Sequence, residues 1–370
     1  MVVKLSIANE TGSMPTVLEG FSKWRFWLSI GNTDGYWCIQ PSDFNRPFHL
    51  ICINRMFDLN NFAVRIGFAS SLCGIVLLLG GCSSENVDSP VQKLKLAEWE
   101  APEPVVVELF APGVVNSTWP EFGISFTASG DTAYFDRTIK DRSQLAIMRT
   151  VRLDGVWQNP EVAPFSGHFF DVDPFVVPGK GSGVFFSSRQ IDPDRGGVYS
   201  FDHWFWSGQG EPIRLPRPLS SDGNEYFLTA TLDGTLFFSS DRSSASDIYI
   251  SRIIDGMRVD PEIVTIPNTE SPGNPLVTPD GKTLVFQNDL FGASKIVFSC
   301  RTDSGWSEPL LLPRAINSAY VDFAPAMHPD GTFFFTSERP GMVTDVIPGQ
   351  RPPGDIYTTN VNVNDFCSTL

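Results

Sequence analysis

Positive charge is scarce in this sequence: 27 Lys and Arg stand against 42 Asp and Glu, a formal net charge of −15. Six of the basic and five of the acidic residues precede residue 82, so residues 82–370 carry −16. A field of that sign repels phosphate backbones, and no basic stripe with interleaved aromatics offsets it, which excludes nucleic acid as a partner. Histidine is almost absent, with four copies at His49, His168, His203 and His328. None falls in an H-E-x-x-H or other paired ligand spacing, so no metal is expected. A Gly-rich phosphate loop and a G-x-S-x-G elbow are missing too, and no cofactor is expected. Long apolar runs are also lacking. The uncharged stretch before Cys82, 66–81, is sixteen residues, short of the roughly 20 needed to span a bilayer.

Turn formers and aromatics are abundant instead: 31 Gly, 29 Pro and 30 Phe, with only 19% charged residues against an average of roughly 25%. Such a composition suits short strands packed face to face. From Glu121 onward a turn-and-strand unit returns about every fifty residues. Its clearest copies span 224–251 and 321–359. A period of that size, built only of strands and Gly turns, marks a β-propeller.

Each unit supplies four strands, a to d, from the channel outward. Strand a ends in a Gly turn (Ser129-Gly130, Gly179-Lys180-Gly181, Asp233-Gly234, Asp280-Gly281, Asp330-Gly331), where Gly and Asp tolerate positive φ. Strand b follows as TAYFDR, VFFSSR, TLFFSSDR, TLVFQND and TFFFTSER. Strands a, b and c occur five times but d only four times after them. The missing d lies at the other end, because 104–123 aligns with 308–324 and puts Asn116-Ser117 on Asn317-Ser318. The expected fold is all-β: one propeller of five four-stranded blades over 104–362, closed by an N-terminal outer strand, with six blades as the fallback. Residues 363–370 are a tail.

The units TPDGKTLVF (Thr278 to Phe286), FFSSDR (Phe237 to Arg242) and DIY (Asp247 to Tyr249, Asp355 to Tyr357) resemble the WD-like repeat of TolB-type propellers. Blade 2 departs by lacking the P-D-G turn, and blade 4 by carrying Gln287-Asn288-Asp289 in place of S-x-R. An α/β domain like that before the TolB ring is not visible, and TolB is a soluble periplasmic protein. The resemblance therefore implies the repeat and not a Tol-system role.

The address is written before the ring. Arg65, the uncharged stretch and Leu79-Gly80-Gly81-Cys82 resemble a signal peptide (56–81) ending in a bacterial lipobox, with Cys82 as the lipidated residue. Polar 82–103 is then a lipid-anchored tether, and more than one acyl chain would make the anchor stable. Ser after the Cys implies the outer membrane if the source is Gram-negative. A signal peptide belongs near the start of translation, so translation from Met56 is expected. The alternative is an unusually long n-region. Residues 1–55 show no sustained period, and no stable fold is expected there.

Acids recur just before strand a, at Glu121, Asp171, Glu225 and Asp322, and arginines just past strand b, at Arg137, Arg189, Arg242 and Arg339. Blade 4 lacks both. The two sets share one face of the disc, with His168 beside them, and form the candidate ligand-binding face. Pairing within the frame is the structural reading of the repetition. Function is expected where the repeat fails, as a binding or interaction module for a protein or glycan partner. The alternative is a carbohydrate hydrolase with two carboxylates at the channel mouth, but recurring acids look architectural and no catalytic residue is assigned. The aromatic run Phe201 to Trp206 suits packing or a rim contact. The Pro/Gly-rich insertion 340–354 is a candidate contact loop. Cys300 and Cys367 are free to pair in an exported protein.

Overall fold

In a computed structural model, the structure describes residues 96–368 apart from 140–143, 178, 180–182, 191–199, 270, 291–292 and 343–352. Before residue 55 it describes the backbone of four short strands. These are β1 (Val17–Glu19), β2 (Arg25–Leu28), β3 (Tyr36–Pro41) and β4 (Ile51–Asn54), paired in chain order as an antiparallel meander. Strand pairing is thus present where no stable fold is expected from sequence. The signal peptide, Cys82 and most of the 340–354 insertion lie outside the described residues. Residues 1–88 and 89–370 form two separate units.

The second unit is a five-bladed β-propeller. Blade 1 holds β6 (Glu121–Phe126), β7 (Thr132–Ile139), β8 (Gln144–Leu153), β9 (Val156–Trp157) and β10 (Glu161–Val162). Blade 2 holds β11 (Asp171–Val176), β12 (Val184–Ser188), β13 (Asp202–Trp206) and β14 (Ile213–Arg214). Blade 3 holds β15 (Glu225–Ala230), β16 (Leu236–Ser240), β17 (Asp247–Ser251) and β20 (Glu262–Ile263), with a small hairpin of β18 (Ile253–Ile254) and β19 (Met257–Arg258). Blade 4 holds β21 (Gly273–Val277), β22 (Thr283–Leu290), β23 (Ala293–Thr302), β24 (Gly305–Trp306) and β25 (Leu310–Leu311). Blade 5 is β26 (Asp322–Met327), β27 (Thr332–Ser337), β28 (Asp355–Asn362) and, from the other end of the unit, β5 (Val107–Leu109). The inner strands touch in the cycle β6, β11, β15, β21, β26 and back to β6, which closes the ring and leaves few open sheet edges.

Closure rests on the expected strand. β5 pairs β28 with Leu109 opposite Tyr357. Buried Asn116 clamps the joint: its Nδ2 donates to the carbonyls of Phe110 (2.8 Å) and Ile356 (2.7 Å), and its Oδ1 accepts from Ile356 N (2.7 Å). Asn317 repeats the device in blade 4 with Ile296 and Leu312. Backbone groups that would otherwise be buried without partners are satisfied at both sites.

The ring reaches further than 104–362 in both directions. Residues 97–99 add to the outer edge of blade 4, where Trp99 N donates to Leu311 O (2.9 Å) and Leu311 N to Ala97 O (2.8 Å). Trp99 is buried against Phe298 and Phe366. The last part of the expected tether is therefore docked. The tail is docked as well, through a 3-10 turn (Val363–Asp365), buried Phe366 and a Cys300–Cys367 disulfide.

One irregularity positions the site. In every inner strand the pairing with strand b shifts at one residue, the third of β6, β11, β15 and β26 and the second of β21. There the backbone turns left-handed: Gly123 (φ 49°), Asp173 (59°), Phe227 (49°), Asn274 (51°) and Ala324 (48°). A bulge of this kind twists the strand and re-aims its neighbours. Because all five blades share it, it belongs to the frame.

Candidate binding site at the channel mouth

The recurring acids and arginines form ion pairs in three blades. Arg137 Nε donates to Glu121 (2.7 Å), Arg339 to Asp322 (3.0 Å) and Arg242 to Glu225 (3.3 Å), and all three carboxylates are fully buried. Each acid also accepts from the N–H of the serine four residues earlier: Ser117 (3.1 Å), Ser221 (3.0 Å) and Ser318 (2.6 Å). Each arginine spends its remaining donors on two carbonyls of the preceding loop, such as Val114 and Val115 for Arg137. Burial outweighs these partners electrostatically, raising Glu121 to about 7 and Glu225 above the usual carboxylate range. These groups hold the loops between blades, and none of the four acids lines the channel cavity.

Blade 2 differs for a reason of register. Arg137 stands directly opposite its acid, and Arg242 and Arg339 two residues past the serine in that place (Ser240, Ser337); Arg189 is only one past Ser188. Side chains alternate along a strand, so an odd offset sends Arg189 to the other side. Asp171 is held instead by Ser188 Oγ (2.6 Å), Ser166 Oγ (2.8 Å) and Gly167 N (3.1 Å). Arg189 lies over the ring of Phe201 at 4.5 Å. Burial pushes the Asp171 carboxyl above its usual range despite its hydrogen-bond donors, and His168 nearby is exposed. Blade 4 has neither the acid nor the arginine; its Lys295, on β23, lies 3.6 Å from Asp322 of blade 5, beside Arg339.

On the same face, the channel opens into a cavity of about 620 Å³. Its walls carry Phe122, Phe201, Tyr226, Phe227 and Phe323, with Asn274, Gln287 and Glu338 among them. Phe122 and Phe323 face each other at 6.3 Å, and Phe201 and Tyr226 at 5.0 Å. Gly354, at the end of the insertion, also reaches the cavity. Trp204 and Trp206 do not; they are buried in the core between blades 1 and 2. Below the mouth a narrower space of about 50 Å³ continues between the inner strands, and Asp173 lines both.

Asp173 was not singled out by sequence, nor was its neighbour Asp136. Strand-b residues in register with Asp136 are Ser187, Ser239, Gln287 and Thr336, and they face the next blade. Thr336 accepts the N–H of Gly123 (3.2 Å) and Ser239 that of Asn274 (2.9 Å). Asp136 takes this part for Asp173 N (3.0 and 3.1 Å), and Asp173 takes it for Phe227 N (3.2 Å). Two carboxyls thus fill places where a hydroxyl suffices elsewhere. Burial raises both, Asp136 well above its ordinary value and Asp173 to about 7, and the charge of Asp173 raises Asp136 further. Asp136 also demands Gly123, since a Cβ there would lie 2.7 Å from its Oδ2.

His203 is the other anomaly. It is fully buried where the other blades place Ile147, Ile248, Ile296 and Ile356. Neither ring nitrogen has a hydrogen-bond partner, and burial lowers its pKa to about 3. It packs edge-on to Phe238 at 5.1 Å. His328 sits on the opposite face, 2.9 Å from Asp330. Among the described residues, no three His, Cys, Asp or Glu side chains gather as a metal site.

No protein-family model and no curated protein matches the sequence. Solved structures do. TolB from Agrobacterium tumefaciens is 17% identical with a TM-score of 0.42, covering 62% of this chain and 73% of that one. TolB from Acinetobacter baumannii is 13% identical with a TM-score of 0.41, covering 66% of this chain and 55% of that one. A thermostable family-43 glycoside hydrolase is 14% identical with a TM-score of 0.45, covering 67% and 90%. The chain is a five-bladed β-propeller with repeats similar to those of TolB. Likeness at this level assigns no activity.

Proposed function

We propose that this protein is an envelope-tethered binding module, lipidated at Cys82, whose protein or glycan partner enters the channel mouth. The observation that carries this reading is the concave, aromatic-walled cavity with Asp173 at its floor, on the face that bears the acid–Arg frame. Apolar walls with a few placed polar groups are the usual form of a ligand site. The frame positions the mouth, and contact belongs to Phe122, Phe323, Tyr226 and Asp173. The tether, the signal peptide and the address in the bacterial envelope are inferred from residues 56–95 alone.

Two experiments separate this from the hydrolase reading and from an unanchored protein. Glu225→Ala and Asp322→Ala are expected to lower stability. Variants that stay as stable as the parent while losing turnover on a glycan panel would support an enzyme instead. Radiolabelled palmitate should mark the wild type and not Cys82→Ser; label that persists in the variant would remove the lipoprotein reading.

A further inference from the structure

The geometry points to a lysine side chain of a protein partner, inserted into the mouth with its ammonium group seated on Asp173. This deepens the reading of the mouth as the binding site and rests on it. Three of the four frame acids have cations beside them: Arg137 for Glu121, Arg242 for Glu225, and Arg339 with Lys295 for Asp322, while Asp171 has two serine hydroxyls and a backbone N–H instead. Among the described residues, the carboxyls of Asp136 and Asp173 accept from backbone N–H donors and form no ion pair. Ser187 is buried, 1% exposed, and its hydroxyl lies close enough to Asp173 to favour the ionised carboxylate; among the described residues it makes no other hydrogen bond.

The shape of the approach selects the carrier. Asp173 is 5% exposed at the floor of the cavity, below the rings of Phe122, Phe323, Tyr226 and Phe227. A group reaching it must be slender and apolar along its length and charged at its tip. A lysine side chain is built that way, with an alkyl stem and a terminal ammonium that rings attract by their quadrupole. An amino sugar holds its nitrogen close to a hydroxylated ring and would have to bury that ring among apolar walls. The net charge of −16 over residues 82–370 steers a basic partner toward the propeller.

The test uses the full chain and a short Gly/Ser peptide with one central lysine, against the same peptide Nε-acetylated and a glucosamine tetramer. The lysine peptide should bind at least about tenfold tighter than the acetylated one, which corresponds to 1.4 kcal/mol. Asp173→Asn, which keeps an acceptor for Phe227 N, should erase that ratio without lowering the thermal midpoint. Equal binding of both peptides, lost in Tyr226→Ala, overturns the ammonium seat and leaves the mouth as the site. A preference for the glucosamine tetramer overturns the protein carrier. No binding of any probe at millimolar concentration overturns the inference, while partner capture from native envelopes that is lost in Tyr226→Ala would still support the mouth.

Discussion

Replacing His203 by Ile should stabilise the protein. Four blades already hold Ile in this place, so the cavity accepts the shape. The imidazole buries two nitrogens without partners, and each unsatisfied buried group costs about 1–3 kcal/mol. Against this stands the edge contact with Phe238 at 5.1 Å, worth about 0.5–1.5 kcal/mol. The expected net gain near neutral pH is about 1–5 kcal/mol, read as a higher urea midpoint at unchanged m-value. The pH dependence is the sharper part. A histidine whose pKa falls from 6.5 to about 3 on folding is protonated in the unfolded chain first. Stability is then lost as pH falls below 6.5, by about 2 kcal/mol between pH 6.5 and 5 at 1.36 kcal/mol per unit. The Ile variant lacks this loss, so its advantage should widen by about that amount at pH 5. A variant less stable than the parent at both pH values, or an advantage that does not widen, would refute the reasoning.

Other outcomes follow from the same contacts. Arg242→Ala strands buried Glu225 and two loop carbonyls and should cost about 3 kcal/mol, whereas Arg189→Ala, off the frame, should cost less; urea melts compare them. Asp136→Asn keeps an acceptor for Asp173 N. A raised acid contributes stability below its unfolded pKa of 3.8 and loses it as pH rises through the folded value. The parent should therefore weaken from pH 4 toward 8 more than the Asn variant does, and thermal midpoints across that range check it. Cys367→Ser opens the link between blade 4 and the tail and should cost about 2–4 kcal/mol. Reduction of the parent should reproduce that drop.

The ring was legible because its signals repeat. Gly turns, aromatic b strands and the Asn116/Asn317 correspondence each recur, and the last locates β5 from the sequence alone. The acid–Arg frame was legible for the same reason. What repetition reveals, however, is mostly frame. Asp136, Asp173 and His203 are single departures within strands of ordinary appearance. Only the register of neighbouring strands shows that they replace a hydroxyl, a bulge residue and an isoleucine. The one-residue offset of Arg189 looks small in sequence, although it reverses the side chain. Lys295 carries no repeat signal because it serves the next blade from strand c. Trp99 lies in a polar, Pro-bearing segment that gives no periodic sign of docking.

The central claim is that recognition lives in the mouth and that the repeated pairs are its frame. Native-envelope partner capture and thermal midpoints, measured together on Asp173→Asn, Tyr226→Ala, Glu225→Gln and Arg242→Ala, test it most directly. The mouth variants should lose capture with midpoints near the parent's, and the frame variants should lose stability first. Mouth variants that capture normally, beside stable frame variants that do not, would contradict the account.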